Sequence, residues 1–311
     1  MSEPAKPTRN EQPAFFGVLV RGMQTAGHTC PTRGWRVGRL DSLLGLKELS
    51  SRVSLGAALT ELNFTFLLEF FHVSLVRVAG DFGSSGILVV AIGKFIVILL
   101  CMFAGAASGA HMNPNISLAT VMLGFTTVSR CMMYTVAQVT GAIAGITAGR
   151  AAQGWDHIGS AADIGGCNIG PSDSQGGALV STAVFFHFIL CIIGGVAFDD
   201  RQGEIFGPIV GPICIATAVG VSIFASAKSA MLINWAECLA IGIVEGEFNG
   251  SEWISFVGPT LASVVHAWLF LSVPPSHTSG KFTPPLFRQG GTRQAAQSAE
   301  AHGAPLMEDH Q

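Results

Sequence analysis

Charge is scarce in this chain: Asp, Glu, Lys and Arg make up 12% of its 311 residues, about half the share of an ordinary soluble domain. That shortage argues against a water-soluble globule. The seven cysteines include no C-x-x-C pair, so the spacing of a zinc or dithiol redox motif is missing. Cys101, Cys131, Cys191 and Cys214 lie inside apolar runs and read as small hydrophobes. A basic start, a clean apolar core and a small-residue cleavage site are all wanting near residue 1, so no removable signal peptide is expected and insertion relies on the first internal span. There is no Gly-X-Y period, which excludes collagen. Paired nucleophile and base, metal-ligand cluster and phosphate loop are likewise lacking, so neither an enzyme nor a cofactor is expected. With a formal net charge of −3, nothing points to a nucleic-acid partner.

What is present suits lipid. Apolar residues form 49% of the chain, with 38 glycines and a mean hydropathy of +0.50, a composition that allows helices to pack closely in a bilayer. Stretches long enough to cross ~30 Å of hydrocarbon fall at 57–78, 86–108, 130–150, 178–198, 206–226 and 253–273. Six spans place both termini on one side. Residues 1–55 are polar and basic and read as a loose cytoplasmic arm; 56–274 read as the membrane domain, and 275–311 as a flexible tail. Of the 17 basic residues, thirteen fall on the side of the termini and three (Arg77, Arg150 and Lys228) on the other. That bias makes the termini cytoplasmic.

Two apolar segments are too short to span, 113–123 and 234–244. Each begins with Asn, a favoured helix cap, and the first follows it with Pro114 at a position where a missing N–H costs nothing. Both read as half-helices entering from a loop. Asn113 and Asn234 are 121 residues apart, as are the starts of spans one and four. Three spans per half make the second repeat (178–273) inverted relative to the first (57–150). Inverted repeats with broken helices meeting at mid-bilayer mark transporters and channels, with the positive helix ends turned toward the permeation path.

Over residues 57–273 the sequence resembles the aquaporin (major intrinsic protein) family. Glu61 and Thr65 occupy a Glu-x-x-x-Thr pattern in span one, and SGAHMNPNISLA follows span two. YTVAQVTGAIAG in span three, FHFILC in span four and WISFVGPTLAS in span six also match. The resemblance implies an all-α membrane fold of six spans and two reentrant half-helices, one conduit per subunit and a homotetramer in the lipid bilayer. Its partners would be water and small neutral solutes such as glycerol or urea. The caps Asn113, Pro114 and Asn115, with Asn234, Trp235 and Ala236, would line the conduit. Glu61 would brace the loop that presents carbonyls to it.

Departures from the family pattern gather in the second half. Trp235 stands for the family's Pro, Asn115 for an Ala, and Ser181 falls where the second brace is expected. Glu237 stands where the family has an outer-constriction Arg; a carboxylate accepts hydrogen bonds and attracts cations, the reverse of a guanidinium. Counting from the asparagines carries over Gly93, Ser222 and Met231 as the rest of the filter, with Ile223 in place of Ser222 if the register slips by one. These small or flexible residues imply a wider opening than that of a strict water channel. A lysine within a span is costly, so Lys94 or Lys228 is expected to pair with Glu237 unless Lys94 snorkels to the headgroups. Two other functions stay open at this point. One is a cation or proton leak past Glu237, the other a non-conducting scaffold blocked by Trp235 or Asn115.

Overall fold

A computed structural model describes residues 37–154, 167–169, 174–198, 200–227, 229 and 231–272, with the side chains of 37–40, 200–208 and 271 excepted. The described residues are helical and contain no strand. A short helix α1 (Val37–Leu44) and a 3-10 turn (Leu46–Ser50) precede α2 (Arg52–Ala79) and α3 (Gly86–Ala104), and then the half-helix α4 (Pro114–Met122) and α5 (Val128–Gln153). The second half repeats the order: α6 (Gln175–Ala197), α7 (Asp200–Ala225), the half-helix α8 (Trp235–Glu245) and α9 (Ile254–Ser272). The six expected spans correspond to α2, α3, α5, α6, α7 and α9. Part of the segment expected as a loose arm is ordered, because Glu48 accepts a 2.7 Å bond from Arg130 Nε and Gly45 packs on Thr127.

Hydropathy explains the long helices. Arg52–Ala104, which holds α2 and α3, with Val128–Gln153 and Gln175–Ala197, are long and apolar enough to cross a membrane; Ile209–Ala225 and Ile254–Phe270 are shorter apolar helices. Their outer faces carry exposed Leu100, Met132, Val136, Val180, Val184 and Trp268, as expected where lipid replaces water as solvent. Between helices the driving force is close packing. Gly141, Gly145 and Gly149 repeat every fourth residue along α5, and a Cβ on the first two would stand 2.4 Å from the carbonyl oxygens of Leu62 and Phe66. Any larger residue there would force α2 and α5 apart.

The half-helices are short because their sequences end in turns. Gly124 (φ 76°) follows α4 and Gly246 (φ 71°) caps α8, both in the left-handed region that stops a helix. Each half-helix packs against the closing helix of the opposite half, α4 on α9 and α8 on α5. That exchange brings the two Asn-led tips together at the centre of the bundle.

Candidate functional site

The tips meet through their leading asparagines. Asn113 Oδ1 accepts from the N–H of Asn115 at 2.8 Å, and Asn234 Oδ1 accepts from that of Ala236 at 3.2 Å, so each oxygen is spent capping its own helix. Each amide nitrogen reaches across: Asn113 Nδ2 donates to Ile233 O at 2.9 Å and Asn234 Nδ2 to Met112 O at 3.3 Å. A primary amide carries two N–H groups. The second one on each asparagine is left for whatever occupies the space beside them. Trp235 in place of Pro does not disturb the cap, since Asn234 keeps the extended backbone of Asn113.

That space is a cavity of about 900 Å³ running the length of the bundle. From α3 it takes Ile87, Val90, Lys94, Ile98 and Met102, one face of a helix at intervals of three and four residues. Gly86 to Met102 corresponds to roughly 24 Å of helix at 1.5 Å per residue. One side of the wall is apolar, with Ile189, Ile193, Ile215, Val219 and Ile223; the other is the loop from Gly109 to Asn113, together with Asn234. A polar stripe on an apolar tube results.

The polar loop is held in an uncommon conformation. Gly109, Ala110 and Met112 have φ of 93°, 51° and 49°, and for residues with a Cβ such angles persist only where the surroundings impose them. Fully buried Glu61 does so: its carboxylate accepts from the N–H of His111 at 2.9 Å and of Met112 at 2.7 Å. Gln138 Nε2 also donates to it at 2.8 Å. With those N–H groups engaged from behind, the loop is fixed along the cavity wall. Glu61 thus holds the loop by hydrogen bonds to two of its backbone N–H groups. In the second half the matching role falls on Thr182, 121 residues after Glu61, whose hydroxyl accepts from Leu232 N–H at 3.1 Å. Ser181, expected as that brace, instead bonds Ser229 Oγ at 3.0 Å.

At one point of the wall the charged residues converge. Lys94 Nζ lies 3.1 Å and His72 Nε2 3.3 Å from the same oxygen of Glu237. All three side chains are nearly buried and line the cavity. Of the two lysines considered as partners, Lys94 lies against Glu237; Lys228 lies outside the described residues. An uncompensated carboxylate here would be costly, and the ammonium beside it offsets both that cost and its pull on cations. Glu69, fully buried, adds a second carboxyl group within electrostatic reach of the pair.

Several expected pore residues sit elsewhere. Gly93 does not border the cavity: a Cβ there would meet Leu75 at 2.2 Å, so it serves the contact of α3 with α2, and Lys94, one position on, faces the cavity. Ser222 turns away, buried, with its hydroxyl on Ala218 O at 2.7 Å, and Ile223 replaces it. Met231 and Glu237 line the cavity. Asn115 does not: its Nδ2 donates to Ile233 O at 2.9 Å and Ser255 O at 2.8 Å, which makes it a bolt behind the joined tips. Neither Pro114, Trp235 nor Ala236 borders the space, so Trp235 and Asn115 do not plug it.

Sequence reasoning missed two features. His72 is a single imidazole in an apolar run, with no spacing signal to mark it. The other is the Cys167–Cys238 disulfide, which ties an inter-helix loop to α8 one residue beyond Glu237. Both cysteines lie outside the long apolar runs, and that was the available hint.

Residues 48–270 match the family model described as Major intrinsic protein. The chain is 31% identical to Aquaporin NIP1-3 of Oryza sativa subsp. japonica over 177 residues, 56% of this chain and 57% of that protein. It is 32% identical to Probable aquaporin PIP2-8 of the same rice over 216 residues, 65% of this chain and 76% of the relative. The first of these alignments spans little more than half the relative's length. Among solved structures, the aquaglyceroporin from Plasmodium falciparum shares the fold with a TM-score of 0.56 at 20% identity, over 70% of this chain and 95% of that one. With two asparagine-capped half-helices joined tip to tip beside a bundle-length cavity, and a family match over most of its length, this chain belongs to the major intrinsic protein family.

Proposed function

We propose that the chain is a passive, bidirectional channel for water and small neutral solutes of the glycerol or urea type. The observation that carries this reading is the cavity itself, lined by both Asn113 and Asn234 and, along one wall, by the loop from Gly109 to Met112. A small polyol or amide can lay its polar groups on that stripe and its carbon side on the isoleucines. Two helix N-termini facing each other at the centre oppose the passage of cations and protons.

At the constriction the proposed filter is Lys94, Ile223, Met231 and Glu237, with His72 behind. The Lys94–Glu237 pair does the work of a single positive side chain in a different way: neutral as a whole, it offers solutes both a donor and an acceptor. A cation leak past Glu237 finds no support in this pairing. Membership of the family also supports a homotetramer with cytoplasmic termini, a membrane domain from about 56 to 274 and peripheral ends.

Stopped-flow light scattering on proteoliposomes, with water, glycerol and urea, tests the main claim, and voltage clamp tests ion exclusion. Wild-type protein should speed shrinkage and solute entry without ionic current. Lys94→Ala, which leaves Glu237 uncompensated, should admit cations. Permeability equal to that of empty vesicles would contradict the channel, and an unchanged current in Lys94→Ala would contradict the role of the pair.

A further inference from the structure

Behind the pore wall three metal-binding side chains converge where lipid-facing helices would be expected to carry none. His187 and Cys191 are one turn apart on α6, and His266 stands opposite on α9. Cys191 Sγ lies 3.5 Å from His187 Nε2 and 3.8 Å from His266 Nδ1, and the three atoms fall within 4.8 Å of one another. The residues of α6 that face the cavity are Phe186, Ile189, Ile193, Val196 and Ala197, so the cluster occupies a different face of that helix.

Its setting is unusual for accident. Neither α6 nor α9 contains any Asp, Glu, Lys or Arg, and each holds a single histidine; those two face each other. His187 is twelve residues from the start of α6 and ten from its end, far from either interface. Polar side chains at such depth are expensive and tend to have a purpose. His187 Nδ1 and His266 Nε2 are buried without a hydrogen-bond partner, so no second partner fixes either ring. Gly194 makes room for the second ring, since a Cβ there would lie 3.0 Å from His266 Nε2.

We propose that His187, Cys191 and His266 form an intramembrane site for a soft monovalent metal ion, Cu(I), that clasps α6 to α9. Geometry and charge both select it. With metal–nitrogen bonds of ~2.05 Å and a metal–sulfur bond of ~2.3 Å, sulfur–nitrogen separations of 3.5 and 3.8 Å correspond to angles of roughly 107° and 122° at the metal. Those are angles of a three- or four-coordinate site. Thiolate and imidazole are the ligands that soft copper prefers. On binding, Cys191 gives up its thiol proton to the basic ligand that delivers the copper as Cu(I) takes its place on sulfur, so the site gains no net charge. Zn(II) bound by the same exchange would leave a positive charge in the apolar layer, at a cost the site does nothing to offset. Cys191 is exposed at the subunit surface, which provides an entry path.

The test uses full-length protein purified in detergent, titrated with Cu(I) in ascorbate against a competing copper chelator, in a background lacking Cys30, Cys131 and Cys214. One Cu(I) per chain is expected, with X-ray absorption showing one sulfur and two nitrogens around it. Cys191→Ser and His266→Ala should each weaken binding by more than the roughly 10–100-fold that loss of an outer-shell partner costs. In wild-type protein, which requires no folding of a variant, bound Cu(I) should also shield Cys191 from maleimide, read on the Cys191 peptide by mass spectrometry. Absence of retained copper, stoichiometry unchanged by both substitutions, or undiminished labelling of Cys191 would overturn the proposal.

Discussion

The two halves of the molecule reach the same endpoint, an asparagine tip at the centre, by different means. In the first, a buried carboxylate holds two backbone N–H groups and a glutamine, and Pro114 presets the first helical residue. In the second, one hydroxyl holds one N–H, Trp235 replaces the proline, and a disulfide anchors α8 to an inter-helix loop. The first tip carries the strained backbone, with Ala110 and Met112 at positive φ, and therefore needs the stronger brace. The second has no non-glycine residue at positive φ among those described. What the fold preserves is the position of the amide, and the support around it varies with the strain it must contain.

This asymmetry predicts a graded response. Glu61→Ala should be the most damaging change, because it orphans the buried N–H groups of His111 and Met112 at about 1–3 kcal/mol each and releases a strained loop; proteoliposome permeability should fall to the level of empty vesicles and the melting temperature should drop. Removing the disulfide with Cys167→Ser and Cys238→Ser frees a loop of 71 residues, worth up to about 4 kcal/mol by chain entropy. Thermal unfolding should shift down while reduced protein still conducts. Thr182→Val removes a single acceptor and should cost about 1–3 kcal/mol, less than its counterpart Glu61 by the same thermal assay. Trp235→Pro should be the mildest, within about 1 kcal/mol of neutral, because the N1 position of a helix tolerates a missing N–H. Equal losses for Glu61→Ala and Thr182→Val would erase the comparison.

Much of this was legible in the sequence because lipid imposes coarse, additive rules. Span lengths, the two segments too short to cross and the Asn caps follow from hydropathy and capping, and Glu61 was marked by the Glu-x-x-x-Thr pattern it shares with the family. Individual wall positions were harder. A helix turns about 100° per residue, so counting from Asn113 landed on Gly93 when the cavity side chain is Lys94, and counting from Asn234 landed on Ser222 in place of Ile223. Ser181 against Thr182 is the same one-residue slip. Asn115 was misread because adjacency to a pore motif in sequence says nothing about which side of the tip a side chain takes. The disulfide was out of reach, as cysteine connectivity is not encoded in spacing. Helical order from Val37 escaped notice because Glu48 and Arg130 meet only through the fold.

The central claim is that flux passes through this one cavity, beside the paired tips. Ile223→Trp fills it at the proposed filter while leaving Asn113, Asn234, Glu61, Lys94 and Glu237 themselves unsubstituted, and stopped-flow scattering on proteoliposomes reads the consequence. The account predicts that water and glycerol permeability collapse together while the protein remains folded by its thermal profile. Undiminished flux of either through a folded Ile223→Trp protein would contradict it.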